Sequence, residues 1–151
     1  MSLTVKITTP IFCTLSDLKE NYGFDELGLA VSGGSDSLAM LYICNDWAAE
    51  NRVKLHCVTI DHKLRPESFK EAQLVADHCN GLGVHHEIVE WKHEGNIGGN
   101  LSDLARSARY ELIDKWRKKL SFVLVGHTQN DQIETFFMNL KRGSGLEGLK
   151  G

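Results

Sequence analysis

The run Leu27-Gly28-Leu29-Ala30-Val31-Ser32-Gly33-Gly34-Ser35-Asp36-Ser37-Leu38 sets a cluster of small and polar residues between an apolar strand and the start of an apolar helix. Helix N-termini carry unpaired N–H groups and the positive end of the helix dipole, and so attract phosphate. Gly33 and Gly34 let the backbone approach an anion closely, while Ser32, Ser35 and Ser37 add hydroxyl donors. Asp36 repels a phosphate unless a divalent cation lies between them, so the group points to a nucleotide with Mg²⁺. The alternative is a small-residue turn in which Asp36 caps the helix. No lysine stands where a Walker A loop needs one, so the cradle is of another kind.

Two more polar segments follow predicted strands: Asp61-His62-Lys63-Leu64-Arg65 and Gly126-His127-Thr128. His62 and His127 suit contact with phosphate or a base, or a hydrogen bond to a loop; neither has a partner at zinc-ligand spacing. His85 and His86 are neighbours in one strand and face opposite sides, which excludes a metal shared between them. Arg106 and Arg109 project from neighbouring turns of one helix. A guanidinium fork suits phosphate oxygens, although arginines are also common on solvated helix faces. Asp131 and Glu134 read either as site carboxylates or as an acidic first turn that complements the helix dipole.

The basic run Lys115-Trp116-Arg117-Lys118-Lys119 reads as a solvated helix C-terminus, with an RNA backbone contact as the alternative. Gly143-Ser144-Gly145-Leu146-Glu147-Gly148 has the form of a dinucleotide fingerprint. It follows a helix instead of a strand, so that reading is rejected for a loop over the nucleotide site or toward RNA.

Positioning these groups requires alternating elements. The pattern predicts an irregular start, a short helix over Leu15–Tyr22 and a strand over Leu27–Val31. A helix follows from about Asp36 to Asn51, on apolar spacing at Leu38, Leu41, Tyr42 and Ala48. Val53–Ile60 reads as a strand, and Pro66 opens a helix that runs to about Asn80 and is ended by Gly81 and Gly83. Val84–Val89 is a third strand and Lys92–Asn100 a mobile glycine-bearing loop. Ser102–Lys119 carries a helical stripe of Leu104, Ala105, Ala108, Leu112 and Trp116. Phe122–Val125 reads as a fully buried strand and Gln129–Leu140 as a last helix. Short apolar strands alternating with helices imply an α/β, Rossmann-like parallel sheet with helices on both faces. Ligands in such sheets sit beyond the carboxyl ends of the strands, where the three polar segments meet.

The 151 residues suffice for one domain with a full core, and the 42% hydrophobic and 25% charged content is that of an ordinary globular protein. A net charge of −3 gives no general attraction to nucleic acid, so any RNA contact depends on local patches. Cys13, Cys44, Cys57 and Cys79 form no Cys-x-x-Cys pair, which suggests reduced thiols in a cytoplasmic protein. No apolar run approaches the roughly 18 residues of a membrane span, and no signal-peptide core is present.

Ser32-Gly33-Gly34-Ser35-Asp36-Ser37 resembles the Ser-Gly-Gly-x-Asp-Ser PP-loop of the N-type ATP pyrophosphatases. Asp61-His62-Lys63-Leu64-Arg65-Pro66-Glu67-Ser68 resembles the Asp-His-x-Leu-Arg-x-x-Ser signature of tRNA(Ile)-lysidine synthetases. The segment His127 to Thr135 is similar to that family's His-x-x-Asp-Asp-Gln-x-Glu-Thr motif, and Arg142 to Leu149 to its Arg-Gly-Ser-Gly-Leu-x-Gly-Leu segment. Asn100 and the run Ala105-Arg106-x-x-Arg109-Tyr110 also fit. Asn130 departs from the pattern, standing where the family usually has the first of two aspartates.

The resemblance implies an adenine-nucleotide α-hydrolase fold. It also implies ATP-dependent adenylation of the wobble cytidine of tRNA(Ile), followed by attack of a lysine amine that displaces AMP. ATP contact falls on Ser32, Gly33, Gly34, Ser35, Asp36, Ser37, Asp61 and His62, and catalysis on Asp36, Arg109 and Asp131. Mg²⁺ falls to Asp36 and Asp131, and contact with substrate or tRNA to Arg65, Arg106, His127, Glu134 and Arg142. Members of that family usually continue into tRNA-contacting domains, so the chain is expected to be a single catalytic domain of a longer protein. The competing readings are a PP-loop tRNA thiolase, against which Ser35 and the missing Cys-x-x-Cys argue, and a non-catalytic ATP-binding module.

Overall fold

A computed structural model of the chain describes residues 3–64, 66–92 and 101–126. Along them run α1 (Leu3–Tyr22), β1 (Glu26–Ala30), α2 (Ser35–Asn51), β2 (Lys54–Asp61), α3 (Ser68–Leu82), β3 (His85–Glu90), α4 (Leu101–Arg117) and β4 (Val123–Val125). The four strands form one parallel sheet in the order β3-β2-β1-β4, with Leu27 opposite Leu55, Cys57 opposite His86 and Leu29 opposite Leu124. The strands step outward from β1 to β3 and then return to the other side of β1. That reversal opens a crevice between the carboxyl ends of β1 and β4, where α/β sheets hold their ligands.

Alternate strand residues feed two apolar layers, because successive side chains of a strand point to opposite faces. On one face Leu27, Leu29, Val31, Leu55 and Cys57 pack with Leu15 of α1, Leu41, Cys44 and Trp47 of α2, and Val75 and Cys79 of α3. On the other, Ala30 and Val58 meet Ile113 and Trp116 of α4, flanked by Ile60, Val123 and Val125. The sheet is therefore covered on both faces, as the alternation of elements predicts. Trp47 Nε1 donates to Ser16 Oγ at 3.0 Å and ties α1 to α2.

Several details differ from the sequence reading. Helix α1 begins at Leu3 and contains Pro10, where an irregular segment was expected. Proline removes only one intrahelical bond, and the apolar side of the helix, with Phe12, Leu15 and Leu18 on the core, supports the rest. Helix α3 starts at Ser68 instead of Pro66; Gly81 lies inside it, and Gly83 ends it in the left-handed region at φ 69°. The buried side of α2 is built on Cys44 and Trp47 while Tyr42 stays exposed, and in α4 Ile113 is buried while Leu104 is exposed. Strand β4 is half-buried instead of fully buried, because among the described residues it is an edge strand. Most of the predicted loop Lys92–Asn100 and all of the predicted helix Gln129–Leu140 lie outside the described residues.

Candidate functional site

The sheet bond from Val31 N–H to Val58 O, 2.9 Å, is the last contact before the chain leaves β1. Gly33 then takes φ +87°, a conformation that strains any L side chain, and a Cβ there would press on Glu71 O at 3.3 Å. Gly34 is extended at φ −71° and ψ 158° and caps α2 without a side-chain hydrogen bond. A Cβ on Gly34 would meet only Ser32 Oγ, at 3.8 Å. The protein fold itself therefore leaves room for a side chain at Gly34. A bare backbone at the N-terminus of a 17-residue helix is what a phosphate cradle requires.

Ser37 is buried, and its hydroxyl is spent inside the loop. It donates to Gly34 O at 2.9 Å, accepts from Ser32 N–H at 3.2 Å and lies 3.2 Å from Ser32 Oγ. Ser37 thus shapes the cradle, leaving Ser32 and Ser35 as its exposed hydroxyls. Asp36 is exposed on the first turn of α2 and accepts a 3.4 Å hydrogen bond from Ser35 Oγ.

Asp61 ends β2 at 2% exposure. Its Oδ1 accepts Ser68 Oγ at 2.6 Å and Lys63 N–H at 2.9 Å, and its carbonyl accepts Trp91 N–H at 2.8 Å. The carboxylate closes the turn between β2 and α3, with Lys63 held at φ 51°. Asp61 therefore fastens this turn through Oδ1.

His62 leaves that turn and meets α4. Arg109 donates from Nε and Nη2 to His62 Nε2, each at 3.3 Å. Trp91 meets the His62 ring edge-on at 5.9 Å and 83°. Burial, and then the charge of Arg109, holds the His62 pKa below its ordinary value against the opposing pull of Asp61. Burial also lowers the Arg109 pKa, with Tyr110 opposing and Arg106 adding to the shift. Arg106 lies over the Tyr110 ring at 5.9 Å.

These elements enclose a cavity of about 570 Å³, within the usual size of a small-molecule site. One end is the loop Ser32-Gly33-Gly34; the floor is apolar, from Ala30, Val58, Ile60, Ile113 and Val125; Arg106, Arg109 and His62 stand on the wall. Gly126 closes it beside the cradle. Of the residues singled out from sequence, Ser32, Gly33, Gly34, His62, Arg106 and Arg109 line this space, whereas Ser35, Asp36, Ser37 and Asp61 do not. Arg65, His127, Asp131, Glu134 and Arg142 lie outside the described residues.

Leu64, Ser68 and Glu71 also line the cavity and were not singled out as site residues. Ser68 stands in the quoted Asp61–Ser68 motif, and Glu71 one helical turn beyond it was the available signal. None of the four cysteines lines the cavity: Cys44, Cys57 and Cys79 are buried in the core and Cys13 is exposed on α1. His86 is half-buried and within 2.9 Å of Thr59 Oγ1, while His85 meets His56 on the other face at 6.0 Å, so the two histidines do diverge. Among the described residues no group of three or more His, Cys, Asp or Glu is placed to hold a metal ion, and no helix is long and apolar enough to cross a membrane.

Residues 8–151 match the PP-loop domain family. A tRNA(Ile)-lysidine synthase of Wolbachia pipientis is 42% identical over 129 residues, covering 83% of this chain and 30% of that protein. One from Ruegeria pomeroyi is 46% identical over 126 residues, covering 82% and 30%. The chain thus spans about 30% of the length of these curated relatives. Among solved structures, a U34-tRNA thiolase of Methanococcus maripaludis with an iron–sulfur cluster aligns at TM-score 0.70 and 19% identity, over 88% of this chain and 50% of that one. An NH3-dependent NAD synthetase of Campylobacter jejuni aligns at TM-score 0.60 and 15% identity, over 99% and 77%. These two likenesses concern the fold.

Proposed function

This chain belongs to the PP-loop domain family, and we propose that it is the ATP-using domain of a cytoplasmic tRNA(Ile)-lysidine synthetase. The observation that carries this reading is the single cavity joining the bare-backbone loop Ser32-Gly33-Gly34 to the guanidinium groups of Arg106 and Arg109 across an apolar floor. The loop holds the pyrophosphate end of ATP, the floor takes the adenine, and the arginines offset phosphate charge. A cytidine oxygen attacks the α-phosphorus and releases pyrophosphate; a lysine amine then displaces AMP from the adenylated base. Positioning and charge stabilisation supply the catalysis, and no protein nucleophile is needed.

Mg²⁺ fits this donor set through the exposed Asp36 carboxylate beside the cradle. When bound, the ion neutralises phosphate charge. Asp131 is the second ligand suggested by the sequence. The thiolase alternative is disfavoured by the absence of any cysteine on the cavity wall.

Calorimetry with ATP and GTP in the presence of Mg²⁺ tests the reading on wild type, Asp36→Asn and Gly34→Val. Selective ATP binding that Gly34→Val abolishes and Asp36→Asn renders Mg²⁺-independent supports it. A folded wild type that binds neither nucleotide refutes it. Mass spectrometry of tRNA(Ile) incubated with lysine, ATP and a longer protein bearing this domain then tests lysidine formation.

A further inference from the structure

We propose that His62 is a positioning residue that aims Arg109 into the nucleotide cavity, serving as a neutral acceptor instead of touching the phosphates itself. The consequence for catalysis rests on the ATP-binding reading above; the pairing itself does not.

His62 and Arg109 are 47 residues apart in sequence, on the turn after β2 and on α4. Two adjacent donors of the guanidinium, Nε and Nη2, converge on one imidazole nitrogen at 3.3 Å each. That contact restrains the plane of a long side chain that otherwise samples many rotamers. The imidazole is itself held. Asp61 locks the turn from which it projects, through Ser68 and Lys63, and Trp91 packs against the ring.

Neutrality of the acceptor matters. A carboxylate at this place would orient Arg109 but cancel its charge, which is the property a phosphate site needs. A neutral imidazole orients the guanidinium and leaves the positive charge intact. Because both Arg109 donors need the lone pair on Nε2, the His62 proton resides on Nδ1, a buried atom with no hydrogen-bond partner among the described residues. The charged groups bearing on His62 are Arg109 from α4 and Asp61 from β2, while Glu90 at the end of β3 is engaged by Lys63 at 2.8 Å. Burial and Arg109 keep His62 neutral near pH 7. Acid that protonates Nε2 removes the acceptor and sets two cations against each other.

The test uses His62→Phe, which keeps a ring against Trp91 but no acceptor, and His62→Gln, which keeps an acceptor but cannot titrate. The readouts are the Arg109 Nε–H signal in a ¹H–¹⁵N spectrum and the ATP dissociation constant between pH 5.5 and 8. In wild type the Arg109 signal carries the downfield shift of a hydrogen-bonded Nε–H near neutrality and loses that shift on acidification, together with ATP affinity. His62→Phe lacks that shift at every pH and binds ATP about tenfold more weakly. His62→Gln recovers both near neutrality and abolishes the acid loss. A His62→Phe protein with an unchanged Arg109 signal and wild-type affinity overturns the proposal. Should wild type bind no ATP, the functional reading falls, and the Arg109 signal by itself decides the pairing.

Discussion

The end of β4 touches the start of α2 backbone to backbone: a Cβ on Gly126 would lie 2.8 Å from the Cα of Ser37. Ser37 in turn bonds Gly34 and Ser32, so the edge strand buttresses the anion cradle through one glycine. Gly126→Ala is expected to destabilise the protein by about 1–3 kcal/mol, the usual cost of overpacking a close contact. ATP affinity should fall with it, because relief of the clash moves the first turn of α2. Urea denaturation checks the first effect and calorimetry the second; an unchanged denaturation midpoint would show that the contact is not tight.

The two cradle glycines should separate stability from binding. Gly33→Ala places a side chain at φ +87° and against Glu71 O, and is expected to cost about 1–2 kcal/mol of stability. Gly34→Ala meets no protein atom closer than 3.8 Å, so stability should hold while ATP binding weakens. Paired denaturation and calorimetry on both variants decide this. Equal loss of stability in the two would remove the case that Gly34 is kept bare for a ligand.

Removing the Asp61 fastener should loosen the turn between β2 and α3. Asp61→Ala removes the acceptor shared by the Ser68 hydroxyl and the Lys63 N–H, at a cost of about 1–3 kcal/mol. Ser68→Ala should cost less, and the double variant less than the sum, since both remove the same 2.6 Å bond. A thermodynamic cycle from urea melts that proves strictly additive would contradict the pairing.

Stability should fall in mild acid through His86 as well as His62. The pKa of each is lowered, first of all by burial, with His85 adding to the shift at His86 and Glu87 opposing it. The unfolded chain therefore binds more protons than the folded one below the ordinary histidine pKa of about 6.5. The histidine contribution is fully present above that pH and is lost as pH falls through the lowered folded values. His86→Gln, which keeps a partner for Thr59, should flatten part of this slope in urea midpoints measured across pH 5 to 7.5; an unaltered slope would argue against a neutral His86.

Thiol reactivity should follow burial. Burial pushes the Cys44 thiol up to about 12, and a hydrogen bond donated to Cys79, together with burial, pushes Cys57 above its ordinary range; the same bond lowers Cys79, whose sulfur is nevertheless shielded in the core. Only Cys13 is exposed. A chromogenic disulfide reagent should therefore titrate one thiol rapidly in native protein and the other three only on unfolding. Fast reaction of a second thiol would mean that the core opens readily.

The order of strands and helices, the parallel sheet and the position of the cradle were all legible in the chain. Each depends on residues close in sequence: an apolar run such as Leu27–Val31, a small-residue turn, then helical spacing through Leu41 and Ala48. Local pattern carries such features because strand and helix periods differ and glycine marks the turns. Boundaries and exposure were less legible. Helix α1 continues through Pro10 because tertiary packing supports it, and β4 is half-exposed because its place at an edge follows from strand order and not from its own Val-Leu-Val.

Chain direction and element order suffice to place Ser32–Gly34, His62 and Gly126 at the carboxyl edge of the sheet whatever their rotamers. What each group is left to do follows from its contacts in the folded protein. Ser37 Oγ and Asp61 Oδ1 are engaged inside the protein, Gly34 stays open, and Arg109 bonds His62 from 47 residues away. A polar group's role depends on which donors and acceptors it has already satisfied, and that is settled by turn geometry at Ser37 and Asp61 and by a distant element at His62, neither of which residue spacing specifies.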